Sequence, residues 1–99
     1  VVDTTNSTTI TDIHSFSTLA YGSIEYLVQV SRGSERHLTK LLVTHDGVDP
    51  FHTEYGTVYS DSELATFTVG KTGDTIFLYA TPTNASTTTF KISFTIIEI

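Results

Sequence analysis

An all-β fold, an antiparallel β-sandwich of seven to eight strands with Ig-like or jelly-roll-like connections, is what this 99-residue sequence predicts. Three observations predict it. Apolar residues recur at every second position through most of the chain, the pattern that buries one face of an extended segment. Turn-forming clusters interrupt that pattern about every 10 to 12 residues, the spacing of sandwiches and small barrels. Finally, 20 Thr and 10 Ser make up close to a third of the chain. Thr is β-branched, stiff at χ1 and suited to the exposed face of a strand.

The elements follow in order. Residues 1–12 are a Thr-rich arm or edge strand, and residues 13–99 form a single sandwich domain, with Ile10 and Ile13 as the first apolar points. Ile24, Tyr26, Val28 and Val30 alternate with Ser23, Glu25, Leu27 and Gln29, which makes a half-buried strand. Ser31 to Ser34 turns the chain into Arg36–His45, whose Leu38, Leu41, Leu42 and Val43 leave two phases open. Asp46-Gly47 is a hairpin signal, lengthened by Val48, Asp49 and Pro50. From Phe51 to Tyr59 the alternation places Phe51, Thr53, Tyr55, Thr57 and Tyr59 on one face.

Ser60 and Glu63 have capping-box spacing, but the Thr-rich continuation allows no more than one helical turn. Leu64–Val69 is the next strand, with Ala65, Phe67 and Val69 on one face. Gly73 turns the chain at Lys71–Asp74. Ile76, Leu78 and Ala80 then alternate with Phe77, Tyr79 and Thr81, a strand expected to be covered on both sides. After the loop from Pro82 to Ser86, Phe90, Ile92, Phe94 and Ile96 point one way, and Lys91, Ser93, Thr95 and Ile97 the other. Ile97 and Ile99 break the polar face of that last strand, which predicts covering by another chain or a following domain.

Composition narrows the function. No apolar run approaches the roughly 18 residues that a membrane span needs, and mean hydropathy is +0.04. Five basic against eleven acidic residues give a net charge of −6. That balance opposes nucleic-acid binding, where Lys and Arg neutralise phosphate. With no cysteine there is no disulfide framework and no thiolate metal site. The opening Val1-Val2-Asp3 has neither an initiator Met nor a basic, apolar leader, and is expected of a processed product or a piece of something longer.

Candidates for chemistry are weak. His14, His37, His45 and His52 show no paired-His metal spacing, although His45 and His52 flank a hairpin connection with Asp46, Asp49 and Glu54 near in sequence. Asp46-Gly47-Val48-Asp49 lacks the spacing of a calcium loop and its later Glu. No Gly-x-Ser-x-Gly elbow occurs. The expectation is therefore no enzyme, no metal and no cofactor. Exposed Tyr stacks sugars, so Tyr55 and Tyr59 are the candidate glycan contacts. Leu27, Leu42, Ile97 and Ile99 exceed the needs of one core and are the candidate subunit contacts.

A string of features gives the chain a family likeness. Ile13 to Val30 places Phe16 and a short spacer before a tyrosine-bearing strand. Leu41-Leu42-Val43-Thr44-His45-Asp46-Gly47 is followed by Thr53-Glu54-Tyr55-Gly56. The close is Leu78-Tyr79-Ala80-Thr81-Pro82, a small-residue loop and Thr89-Phe90-Lys91. Together they resemble a β-sandwich domain of marine tailed-phage, cyanophage-like, virion structural and tail-fibre proteins. The resemblance implies a virion module, within tail fibres, appendages or capsid decoration, that acts by self-assembly. Its partners are then copies of itself and other virion proteins, outside the cell, with no nucleic acid and no membrane insertion. Two alternatives stand beside it: a host-surface carbohydrate-binding module, and an extracellular filament subunit whose Thr4–Thr11 segment pairs with a neighbour's sheet edge.

Overall fold

The structure, a computed structural model, describes all residues from Val1 to Ile99. Its eight strands are β1 (Val2–Thr5), β2 (Thr11–Ser17), β3 (Tyr21–Arg32), β4 (Glu35–His45), β5 (Pro50–Tyr59), β6 (Ala65–Thr72), β7 (Thr75–Pro82) and β8 (Thr88–Glu98). They build a five-stranded sheet in the order β1-β8-β3-β4-β5 and a three-stranded sheet in the order β2-β7-β6. Every pairing is antiparallel. The sandwich expected from the alternation is therefore present, with no helix. β1 and β2 lie at an edge of different sheets, so the chain crosses between layers within its first turn.

One face of each sheet makes the core. β3 contributes Ile24, Tyr26, Val28 and Val30, β4 contributes Leu41 and Val43, and β8 contributes Phe90 and Ile92. Ile13 and Phe16 of β2, Ile76, Leu78 and Ala80 of β7, and Leu64 and Ala65 meet them from the other layer. Burying a large apolar side chain stabilises by about 1.5–3 kcal/mol, so this shared interior is what holds the layers together.

Three expectations change on contact with the structure. The two open phases of β4 resolve with His37, Thr39, Leu41 and Val43 inward and with Leu38 and Leu42 outward. In β5, Gly56 takes φ +69° where the register to β4 shifts between Leu38 and Lys40. That bulge inserts extra residues, so Tyr59 pairs with inward-facing His37 while Tyr55 pairs with outward-facing Lys40. The single face expected for Phe51 through Tyr59 is thus broken at Gly56. In β7, Phe77 and Tyr79 are not covered by a further layer. They stack on each other at 5.9 Å on the half-exposed outer side, and the Tyr79 ring lies over Gly70.

The crossing from β5 to β6 turns on one residue. The Leu64 N–H donates to His37 Nδ1 at 3.1 Å, and the Leu64 carbonyl accepts from Arg32 Nη2 at 3.0 Å. The same carbonyl also accepts from the Thr83 N–H and hydroxyl. Arg32 is itself buried, with its Nε on the Thr88 hydroxyl and Nη1 on the Thr83 hydroxyl.

Candidate functional site

The widest exposed surface built by this topology is the outward face of the five-stranded sheet. Because the strands are in antiparallel register, outward residues form straight rows across it. Ile97, Ser23, Thr44 and Phe51 make one row, and Thr95, Glu25, Leu42 and Thr53 the next. Ser93, Leu27, Lys40 and Tyr55 follow, then Val2, Lys91, Gln29, Leu38 and Val58. Leu27, Leu42, Ile97, Tyr55, Phe51, Leu38, Val58 and Val2 are all exposed large apolar or aromatic residues. Eight of the seventeen residues in these rows are therefore apolar or aromatic where water would favour polar side chains.

The face is not flat. A groove of about 710 Å³ is lined by Leu42, Phe51 and Ile97, together with Glu25, Ser23 and Thr44. A shallower one of about 310 Å³ lies between Val2, Leu27, Leu38 and Lys91. The Tyr55 hydroxyl donates to Glu25 Oε2 at 3.0 Å across β4. That bond to a carboxylate raises the phenol above its ordinary range. The Ser23 and Thr44 hydroxyls share a bond at 2.9 Å along the first row. The arrangement offers an apolar surface with a few fixed polar groups, which suits contact with a macromolecule rather than bond-making chemistry.

The candidate residues divide. Leu27, Leu42, Ile97 and Tyr55 come together on this face. Ile99 lies beyond β8, where its N–H donates to the Ala20 carbonyl, and Tyr59 stands on the opposite side, edge-on to His37. Tyr55 and Tyr59 thus do not form one sugar platform. Leu38, Phe51, Val58 and Val2 belong to the face and were not singled out from sequence. The first of these was within reach, since Leu38 shares the period-2 phase of Leu42.

The remaining polar candidates are used by the fold. His45 donates from Nε2 to the Tyr21 carbonyl and accepts the Gly47 N–H at Nδ1, which fixes its neutral tautomer. Asp46 Oδ1 accepts the Val48 and Asp49 N–H groups, and these backbone bonds hold its carboxyl below the usual range. His37 is fully buried with Nε2 unpartnered, and burial lowers its pKa. At the end of the sandwich, His14 Nδ1 lies 2.7 Å from the Tyr26 hydroxyl. Burial pushes the Tyr26 phenol up and the His14 imidazole down, so the bond joins two neutral groups. Phe94 and Ile96 line a second groove there, because the three-stranded sheet stops short of them. Of the Thr4–Thr11 segment, Thr4 and Thr5 pair with Thr89 and Thr88 of the same chain.

No family model matches the chain, and no curated protein matches its sequence. Solved structures share its fold. The tailspike protein of Acinetobacter phage vB_ApiP_P1 matches with a TM-score of 0.56 at 14% identity, over 100% of this chain and 20% of that one. The tailspike protein of Acinetobacter baumannii phage AM24 matches with a TM-score of 0.52 at 8% identity, over 100% of this chain and 25% of that one. The chain thus spans between a fifth and a quarter of the length of these tailspikes. What is shared is the fold, an all-β module also found within phage tail proteins.

Proposed function

We propose that this domain is a structural module of a tailed-phage virion, carried on a tail fibre or similar appendage, and that it acts by assembly. The outward face of the five-stranded sheet carries the reading. A monomer gains nothing from leaving Leu27, Leu42, Phe51 and Ile97 in water together, whereas a packed neighbour removes that surface from it. The shared fold with two tailspike segments supports a tail appendage over capsid decoration. The Val43–Gly47 and Thr53–Gly56 motifs support the tail-fibre likeness drawn from sequence, including its marine-phage character. In this reading the partners are copies of the chain and other virion proteins, and the module is passive, with no catalysis and no cofactor.

Immunogold labelling with antibody to the domain, on particles from a lysate that contains it, tests the placement. Label on tails is the expected result; label confined to free filaments or capsids overturns it. Turnover of any glycan by the purified chain overturns the passive role. A second reading, host-glycan binding, is favoured by the hydroxyls of Ser23 and Thr44 beside the Phe51 ring in the larger groove. A glycan array that responds to the wild type and not to Phe51→Ala would support it.

A further inference from the structure

The geometry points to a twofold pairing of two copies of this chain along β5, edge to edge and centred on Thr53. β5 closes one side of the five-stranded sheet and pairs only with β4. Nine of its ten residues are exposed. A free strand edge is a row of unpaired N–H and C=O groups, and folded proteins blunt such edges with shortness, lysine, proline or a bulge. The other edges are blunted. β1 has four residues, β2 carries a bulge between Asp12 and His14, and β6 carries Lys71. β5 is the longest of the edge strands, and its own proline, Pro50, and bulge, at Gly56, lie just outside the stretch Phe51–Tyr55, which has no lysine, no proline and no bulge.

The order of residues in β5 selects a second copy as the occupant. Antiparallel pairing about Thr53 sets Thr53 opposite its own equivalent, His52 opposite Glu54 of the other copy, and Phe51 opposite Tyr55. By symmetry each of the last two pairs occurs twice. His52 and Glu54 pair with inward-facing Val43 and Leu41, so an imidazole meets a carboxylate on that side. Phe51 and Tyr55 pair with outward-facing Thr44 and Lys40, so two aromatic rings meet on the other. Hydrogen-bonding and aromatic pairs are among the cross-strand combinations that stabilise sheets, and a neutral imidazole N–H can donate to the carboxylate. Moving the centre by one residue loses both: His52 then faces Gly56, or Glu54 faces Pro50.

The ends of the ladder are also set by sequence. Pro50, which has no N–H to give, falls opposite Gly56, where φ +69° bends the strand away. The pairing makes one ten-stranded sheet, with the Leu42 and Phe51 grooves of both copies side by side on a single face. This inference uses an edge rather than the outward face, and it stands whether or not the chain belongs to a phage.

The full chain contains no cysteine, so single substitutions report the register cleanly. Under mild oxidation Thr53→Cys is expected to cross-link into a dimer, because the axis brings the two side chains together, and Val58→Cys is not. Sedimentation is expected to show a dimer for the wild type and for His52→Lys. His52→Glu, which sets like charges opposite each other twice, is expected to dissociate about tenfold more readily than His52→Lys. His52 is exposed, so both variants keep the fold, which a far-UV spectrum and melting curve verify. A monomeric wild type overturns the pairing, as does equal cross-linking at positions 53 and 58. A dimer unmoved by His52→Glu but dissolved by Leu42→Ser with Ile97→Ser overturns it while leaving assembly through the face intact.

Discussion

Arg32 is a buried cation with no carboxylate partner, held by the Thr88 and Thr83 hydroxyls and the Leu64 carbonyl at 3.0–3.1 Å. Its replacement by Met keeps most of the stem volume and removes the charge. Three bonds from a charged donor are lost, each contributing about 1.5–3 kcal/mol in a folded protein. Against that, burying an unpaired ion carries a penalty of about several kcal/mol, which Met does not incur. The acceptors are not stranded, because the Leu64 carbonyl keeps the Thr83 N–H at 3.0 Å and the Thr88 hydroxyl keeps its bond to the Ser86 carbonyl. The expected net cost of Arg32→Met is therefore about 1–2 kcal/mol. Arg32→Ala also loses the stem, at about 0.8 kcal/mol per buried methylene, and is expected to cost about 2 kcal/mol more. Urea unfolding reads both, and in a melt each kcal/mol corresponds to about 4–8 °C for a chain of this size. If Arg32→Met is as damaging as Arg32→Ala, the guanidinium bonds and not the packed stem secure the crossing, and the ranking here is wrong.

Acid is expected to weaken the fold first through buried His37 and half-buried His14. Burial lowers the His37 and His14 pKa values below 6.5, so the unfolded chain binds protons that the folded chain refuses. Stability is then full above about pH 6.5 and declines as pH falls toward the folded-state values, a slope that His37→Asn should flatten in urea midpoints taken against pH. A wild-type midpoint that does not move between about pH 7.5 and about pH 5.5, roughly one unit either side of the usual imidazole value, would contradict this. Gly56→Ala forces a Cβ into φ +69° and should cost about 1–2 kcal/mol. Gly70→Ala meets only the Tyr79 ring at 2.9 Å, which is half-exposed and able to swing, so a smaller melting shift is expected there. Tyr26→Phe removes the bond to His14 and should cost about 1 kcal/mol, with the His14 ring signals shifting in an NMR titration.

How much of this was legible depended on whether a residue's role was local. In β8 the apolar residues alternate without exception from Phe90 to Ile96, and their phase in the structure is the one the sequence predicts. In β4 the inward set includes His37 and Thr39, so the hydropathy pattern alone favours neither side. Their burial is justified only by distant partners, the Leu64 N–H for His37 and the Glu54 carboxylate for Thr39. Gly56 was a visible warning, since a glycine inside a strand often marks a bulge, but its left-handed backbone is what actually flips Tyr59 away from Tyr55. Leu27 and Ile97 were legible as members of a surface because they fall on polar phases of their strands, and Leu42 because it exceeds the needs of one core. That they form rows with Leu38, Phe51 and Val58 required the register. Nothing in the sequence around Arg32 marks it as buried, because all three of its acceptors lie more than thirty positions away.

Within the domain, the eighth strand sits between the first and the third, with β8 paired to β1 on one side and β3 on the other. During synthesis, β1 has no partner and β3 keeps one backbone edge bare until β8 has left the ribosome. Closing the larger sheet then joins segments separated by most of the chain, which makes folding slow relative to helical domains of similar size. Nascent chains crowded on one message expose that unfilled slot to each other, so exchange of β8 between neighbours is the characteristic error such a layout invites.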